Sequence, residues 1–461
     1  MAVPAVLGQS RLAMLIGAGV LLGLAYTLSP LSTLSLAVLI GAVAAAGRNL
    51  SPAESRWYWS LIVISVVIRL MAIALLFYTA DPAHPFASFF GDEELYKFRT
   101  MWLRNIGQGM RMSPADVIYS YDDVGHTSYM FVLALVQAFV GDAPYGLHVF
   151  NMVLYLCGVL GLYRVVRASY GGVVAMAGLI ALLCLPSLGL WSISVLKEPM
   201  NAFVLAGELI CAVAIVRAPH WWQRGLAAIT VVGLGAAMES LRTGGALTAA
   251  CGTAGGLLVV FLFSRGRRVA FGLIAAPIVV AVLFITPAVQ DRVLANVRLA
   301  AWYHAGHVLT QGYSYQLVSP SYYNNRMRLR NDMPAVDAGR FVVNAVWSYF
   351  AQPLPSAMQS RAMLAYLPEQ FIWYLMALLL PAGIYAGLKR DVVLTAMLAS
   401  HAAAVILIVA VSSGNVGTLI RHRALALPYI VWLSAAGAHE VIRRLAAGRV
   451  GREQRSGDGD R

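Results

Sequence analysis

The sequence predicts an all-α fold: a polytopic helical integral membrane protein of about twelve transmembrane helices, with interfacial helices in two long outer loops. Three observations carry this. The 461 residues are 59% hydrophobic, with a mean hydropathy of +0.71. Only 12% are charged, about half the share of a soluble domain. The apolar residues fall into repeated runs of roughly 17–25, the length that spans a bilayer as a helix.

The predicted spans cover about 11–28, 31–46, 57–79, 145–165, 171–187, 195–217, 223–239, 244–264, 269–288, 371–387, 392–411 and 424–442. The first run, Leu12 to Leu28, has the apolar character of a signal peptide. No small-residue cleavage pattern follows it and further spans do, so it is read as a membrane helix. The runs at 31–46 and 223–239 are short and suit half-helices or the arms of a tight hairpin. Cys157, Cys184, Cys211 and Cys251 each lie inside an apolar run and form no C-x-x-C pair. Neither a metal site nor a disulfide framework follows from them.

Basic residues in the short connections orient such a chain. One side of the predicted topology collects eighteen basic against six acidic residues, among them Arg48, Arg56, Arg164, Arg167, Arg265, Arg267, Arg268, Lys389 and Arg390. The other side is nearly balanced. The net charge of +13 is therefore a topology signal rather than a sign of nucleic acid binding. Both termini are expected in the cytoplasm. The domain reading follows: an N-terminal helical hairpin over 1–56 and a membrane module over 57–288 with its first outer loop at 80–144. A second outer loop covers 289–370, a three-helix membrane segment 371–445, and a disordered cytoplasmic tail 446–461. The apolar stretch His126 to Val140 is too short to span comfortably and is read as a helix lying in the outer interface. The second loop is expected to hold an amphipathic helix near Asp291–Leu309 and an apolar-aromatic stretch from Phe341 to Phe350.

The groups suited to chemistry gather on the outer side. Gly91-Asp92-Glu93-Glu94 places three consecutive carboxylates just past the span that ends near Ala80. A carboxylate there suits a general base, and it equally suits the capped N-terminus of a solvated helix. Lys197-Glu198 stands at the start of a span, where charges are solvated, paired or functional. Glu239 and Arg242 sit in another outer hairpin, where Arg242 has the planar fork for a phosphate or the reach to snorkel. Arg421, His422 and Arg423 open the last span and form an anion site in prospect. The stretch from Tyr313 to Arg330, rich in Tyr and Arg, suits stacking on sugars or contact with acidic headgroups. His304 and His307 share a helix face without a third ligand, and Arg69 and Glu208 fall inside spans, where they could pair with each other. No G-x-x-x-x-G-K-[ST] phosphate loop and no G-x-S-x-G elbow is present.

Gly91-Asp92-Glu93 with Tyr96, then Gly125-His126 opening the interfacial helix, then Lys197-Glu198, is an order that resembles the GT-C superfamily. These are polytopic glycosyltransferases that use polyprenyl-phosphate-linked sugars, such as protein O-mannosyltransferases and aminoarabinose transferases. The resemblance covers roughly residues 57–245, and the Gly417-Thr418 … Arg421-His422-Arg423 run looks like the arginine-bearing last outer loop of some members. The chain departs from them by two extra spans before the acidic loop and by lacking a large soluble C-terminal domain. The resemblance implies Asp92 as catalytic base, and Glu93 as a neighbour holding the acceptor or a cation. Glu94, Tyr96, His126, Lys197, Glu198 and Glu239 would contact substrate. Arg242, Arg421 and Arg423, with His422, would neutralise the departing phosphate. It also implies a polyprenyl-phosphate lipid donor, a lipid, glycan or protein acceptor, and a bacterial-type inner membrane with the site on its extracytoplasmic face. Asp92 and Glu93 alone are too few ligands to argue a bound divalent cation. Two other functions share these features: a polysaccharide polymerase or ligase acting on polyprenyl-diphosphate glycans, which would lean on Arg421 and Arg423, and a lipid-linked glycan transporter or non-catalytic membrane partner.

Overall fold

The computed structural model describes residues 19, 20, 23, 27, 29–81, 87–121, 127–141, 144–263, 286–309, 313–358 and 360–457. Among them every regular element is a helix, apart from an isolated bridge between Ser314 and Asn415. Among the described residues eight helices are long and apolar enough to cross a membrane, so the chain is an all-α, multi-pass membrane protein. His126 and most of the expected spans 11–28 and 269–288 lie outside the described residues.

Helix starts follow local chemistry. α1 (Pro30–Ala46) and α2 (Pro52–Tyr78) each place proline in the first turn, where its missing N–H costs nothing. Ser29 and Ser51 cap them, and Glu54 completes a capping box on Ser51. After α2 come α3 (Gly91–Gly107), α4 (Pro114–Tyr121) and α5 (Tyr129–Val140), the last a short apolar helix where an interfacial one is expected.

α6 (Pro144–Cys184) covers two predicted spans without an intervening loop. The break is one residue, Gly171, at φ 78° and ψ 173°. Only glycine takes such a conformation at little cost, so the expected turn shrinks to a single hinge. α7 (Pro186–Ile193) is separated from α8 (Glu198–Arg217) by four non-helical residues, 194–197. α9 (Trp221–Leu241) and α10 (Gly245–Phe263) follow, and α9 is a full 21-residue helix rather than a half-helix.

The second expected outer loop is mostly helical: α11 (Pro287–Val308), α12 (Pro320–Asn324), α13 (Arg326–Asn331) and α14 (Ala335–Ala351). The chain ends with α15 (Arg361–Arg390), α16 (Val392–Ser412, capped by Asp391), α17 (Val416–Arg423) and α18 (Leu427–Gly457). α18 runs helically through most of the segment read from sequence as a disordered tail. Its last third carries Arg449, Arg452, Glu453, Gln454 and Arg455, residues with good helix propensity, against three glycines.

The chain divides into two compact units that interleave along the sequence. The first contains Met1–Gly161, Leu188–Val204 and Ser240–Thr243. In it α3 packs on α5, and Arg69 of α2 is buried, bonding Ser65 of its own helix and Ser192 of α7 (Nε to Oγ, 2.9 Å). The second contains Leu162–Ser187, Leu205–Glu239 and Gly244–Arg461. In it α15 packs along α18 and α10 along α16. At the α15–α18 crossing Gly383 and Gly437 face backbone directly, so any side chain there would collide with the opposite helix. Close approach at small residues is how membrane helices gain contact without a hydrophobic driving force. Glu208 is buried in this unit, accepting from Thr253 and lying 2.7 Å from Nε2 of His401. Arg69 and Glu208 therefore take separate partners instead of the mutual pair considered from sequence.

Candidate functional site

In the first unit, the acidic stretch forms the first turn of α3, and its adjacent carboxylates have opposite fates. Asp92 is exposed and Glu94 half-buried, while Glu93 is fully enclosed. The Glu93 carboxylate reaches back to accept the N–H groups of Phe89 (3.2 Å) and Phe90 (3.1 Å), two of the orphan donors at the helix start. Its other oxygen accepts the N–H of Val195 at 3.0 Å, in the turn that breaks α7 from α8.

Two more side chains bind this turn, and Lys97 backs one of them. His148 Nδ1 lies 2.7 Å from the Ile193 carbonyl, and Asn151 donates to the carbonyls of Ser194 (2.6 Å) and Leu196 (3.1 Å). Lys97, one turn beyond Glu93, donates to the Ala87 carbonyl and to His148 Nε2 at 2.9 Å, with Glu93 Oε2 3.7 Å away. Because the lysine can only donate, His148 Nε2 accepts and Nδ1 carries the proton. Buried non-helical backbone is tolerated where its polar groups are bonded. Here side chains from α3 and α6 bond it. Burial pushes the Glu93 carboxyl up against the pull of its backbone donors and Lys97. Burial likewise draws Lys97 down to about 8, opposed by the Glu93 carboxylate.

Aromatic rings close the network. Phe90 stacks on Trp191 at 4.3 Å, His148 meets Phe77 and Phe89 edge-on, and Tyr96 meets Tyr129 at 5.6 Å. Tyr129 receives a hydrogen bond from Asn151. Burial holds its phenol well above the ordinary range, and the charges of Glu93 and Glu198 push the same way. Glu198 is buried and Lys197 half-buried at the start of α8. The 240–243 hairpin, which carries half-buried Arg242, is tied to the start of α5 by Ser128, whose N–H donates to the Ser240 carbonyl at 2.7 Å. The first unit thus contains Asp92, Glu93, Glu94, Tyr96, Lys197, Glu198 and the hairpin of Arg242.

The remaining candidates belong to the second unit. Glu239 is an N-terminal cap for α10, accepting from the N–H groups of Gly244 (3.1 Å) and Ala246 (3.0 Å). Arg423 is buried, with Trp373 beneath its guanidinium at 4.7 Å. It donates to the carbonyls of Tyr349 (Nε, 3.0 Å) and Gln352 and to Gln370 Oε1 at 3.1 Å. Such a guanidinium ties α17 to the end of α14 and to α15, whereas Arg421 and His422 are half-buried. His304 and His307 place their Nδ1 atoms 2.8 and 2.7 Å from the carbonyls of Ser413 and Ser412, stitching α11 to the end of α16. The Tyr- and Arg-rich stretch packs on its own unit: Arg326 and Arg330 lie over Trp302, and Tyr322 donates to Asp337 at 2.7 Å.

Sequence reading missed Lys97, His148 and Asn151. A signal was there: a histidine and an asparagine three residues apart, on one face of a helix inside an apolar span, are costly without partners. Among the described residues no group of three or more His, Cys, Asp or Glu side chains is arranged to hold a metal ion. Comparison with known proteins finds no matching family model, no matching curated protein and no matching solved structure.

Proposed function

We propose that this chain is an extracytoplasmic membrane glycosyltransferase of GT-C type, moving a sugar from a polyprenyl-phosphate donor to a lipid, glycan or protein acceptor. One observation carries the reading: Asp92 stands exposed on the first turn of α3, where its neighbour Glu93 is held by three backbone hydrogen bonds, from Phe89 and Phe90 at the helix start and from Val195 in the non-helical segment between α7 and α8. A base works best when its position is fixed and its carboxylate reaches the solvent edge. In the reaction, the acceptor oxygen forms a bond to the anomeric carbon and its proton passes to Asp92. The bond from that carbon to the phosphate oxygen breaks, and the electron pair leaves with polyprenyl phosphate. Arg242, carried by the 240–243 hairpin of the same unit, offsets the charge that grows on the departing phosphate. Glu93 acts as the anchor of Asp92, and Arg423 as a structural tie.

The test is transfer from radiolabelled polyprenyl-phosphate hexoses and pentoses in membranes carrying the protein. Asp92→Asn abolishes transfer while leaving expression and thermal midpoint unchanged. Full transfer by that variant removes the base assignment.

A second reading, a transporter of lipid-linked glycans, draws support from the interrupted α7–α8 helix and from the buried Glu208–His401–Thr253 cluster within spans. Flipping of a labelled lipid-linked glycan in vesicles, with no transfer product, would favour it over the enzyme.

A further inference from the structure

In the second unit a cleft of about 400 Å³ opens beside the α15–α18 crossing, one to two turns beyond the contact of Gly383 with Gly437. Its floor is apolar, formed by Val174, Ala386 and Ala436. Its mouth is cationic: Lys389 and Arg390 from the last turn of α15, and Arg443 and Arg444 from α18. One carboxylate answers these four cations. Glu440 bonds Arg443 (3.0 Å) and Arg444 (2.6 Å) together. The Arg390 guanidinium lies 3.0 Å from where a side chain on Gly171 would begin, so the hinge in α6 is also the seat of this arginine. No carboxylate partner for Arg390 occurs among the described residues. Lys389 donates to the Tyr385 hydroxyl and stands 4.2 Å above that ring.

An uncompensated cluster of this kind, at the end of two apolar helices, has a net charge of about +3 to satisfy. The surroundings identify the source of the anion. Leu378 and Leu375, about three to four turns back along α15 from Arg390, are exposed apolar side chains, and so are Ile442 and Leu445, which flank Arg443 and Arg444 on α18. They suit acyl chains, and Tyr385 suits the headgroup level. We propose that this cleft binds the phosphate headgroup of an anionic membrane lipid, with Arg390 and Arg443 as its principal phosphate contacts and its tails along the apolar faces of α15 and α18. The site is independent of the catalytic reading, since it shares no residue with it.

The experiment uses full-length protein in neutral detergent and native mass spectrometry with dioctanoyl phosphatidylglycerol, dioctanoyl phosphatidylcholine and inorganic phosphate. Phosphatidylglycerol binds, phosphatidylcholine binds at least tenfold more weakly, and inorganic phosphate fails to displace the lipid at equal concentration. Replacing both Arg390→Gln and Arg443→Gln weakens phosphatidylglycerol roughly tenfold or more, as expected for two lost interfacial cations. Glu440→Gln releases two arginines from their carboxylate and tightens binding severalfold, a gain that misfolding cannot produce. Equal retention of phosphatidylcholine, displacement by free phosphate, or no tightening in Glu440→Gln would each overturn the proposal.

Discussion

Replacing Glu93 with glutamine changes one atom and should unlatch the start of α3. The carboxylate accepts from Phe89 and Phe90 with one oxygen and from Val195 with the other, and it is the counter-charge of Lys97 at 3.7 Å. Glutamine offers a single acceptor oxygen. Whichever way the amide turns, an NH₂ group faces either the Val195 N–H or the pair from Phe89 and Phe90. Hydrogen bonds to a charged group contribute about 1.5–3 kcal/mol each in net terms. Breaking a buried pair by removing one partner costs about 3–5 kcal/mol, because the other charge is stranded. Glu93→Gln is therefore expected to destabilise the first unit by about 3–5 kcal/mol. Adding Lys97→Met should recover part of the loss by removing the stranded cation. Thermal unfolding in detergent measures the first effect, and hydrogen exchange over residues 194–197 localises it, since Val195 loses its acceptor. An unchanged thermal midpoint together with unchanged protection in that turn would refute the anchoring role.

Lys97 makes stability depend on pH. Its folded-state value of about 8 lies below the ordinary 10.5, so the folded protein holds fewer protons in that window and gains stability as pH rises through it. The gain is up to roughly 3 kcal/mol at about 1.4 kcal/mol per unit. The slope of thermal midpoint between pH 8 and pH 10 should flatten in Lys97→Met, and an equal slope in both proteins would count against it. Arg423→Lys keeps the charge but loses the planar fork that serves two carbonyls and Gln370, and is expected to cost about 2–4 kcal/mol. Thermal unfolding in detergent checks it, and a neutral result would return Arg423 to the ligand-binding candidates. Gly171→Ala forces a side chain into a positive-φ backbone that is nearly exclusive to glycine and against Arg390, at a cost of about 1–3 kcal/mol from the backbone alone. A thermal midpoint equal to wild type would show that α6 can straighten at the hinge.

How far sequence reasoning reached is clearest at three places. The spans were legible because bilayer thickness imposes a length on apolar helices, and that constraint is local. Most of the described long helices fall where the apolar runs place them, and serine followed by proline marks the starts of α1 and α2. The hinge in α6 was half legible: the break was expected near the basic turn, but not that one glycine would supply it. The roles of Asp92 and Glu93 were not legible. Two adjacent acids look alike in a sequence, and a helix turns them about 100° apart. Which one faces water was decided by Val195, more than a hundred residues downstream.

Arg423 illustrates the same division. From sequence it is one of three cations opening a helix and suits an anion. Tertiary packing surrounds it with the carbonyls of Tyr349 and Gln352 at the end of α14 and the side chain of Gln370, leaving Arg421 and His422 half-exposed beside it. The sequence alone settled that this chain is helical and membrane-embedded, because hydrophobic length and capping are read from neighbouring residues. Only the tertiary structure decided which charges are buried in the scaffold and which face solvent. That choice depends on partners brought together from distant segments, and a buried charge has no other way to recover the solvation it loses.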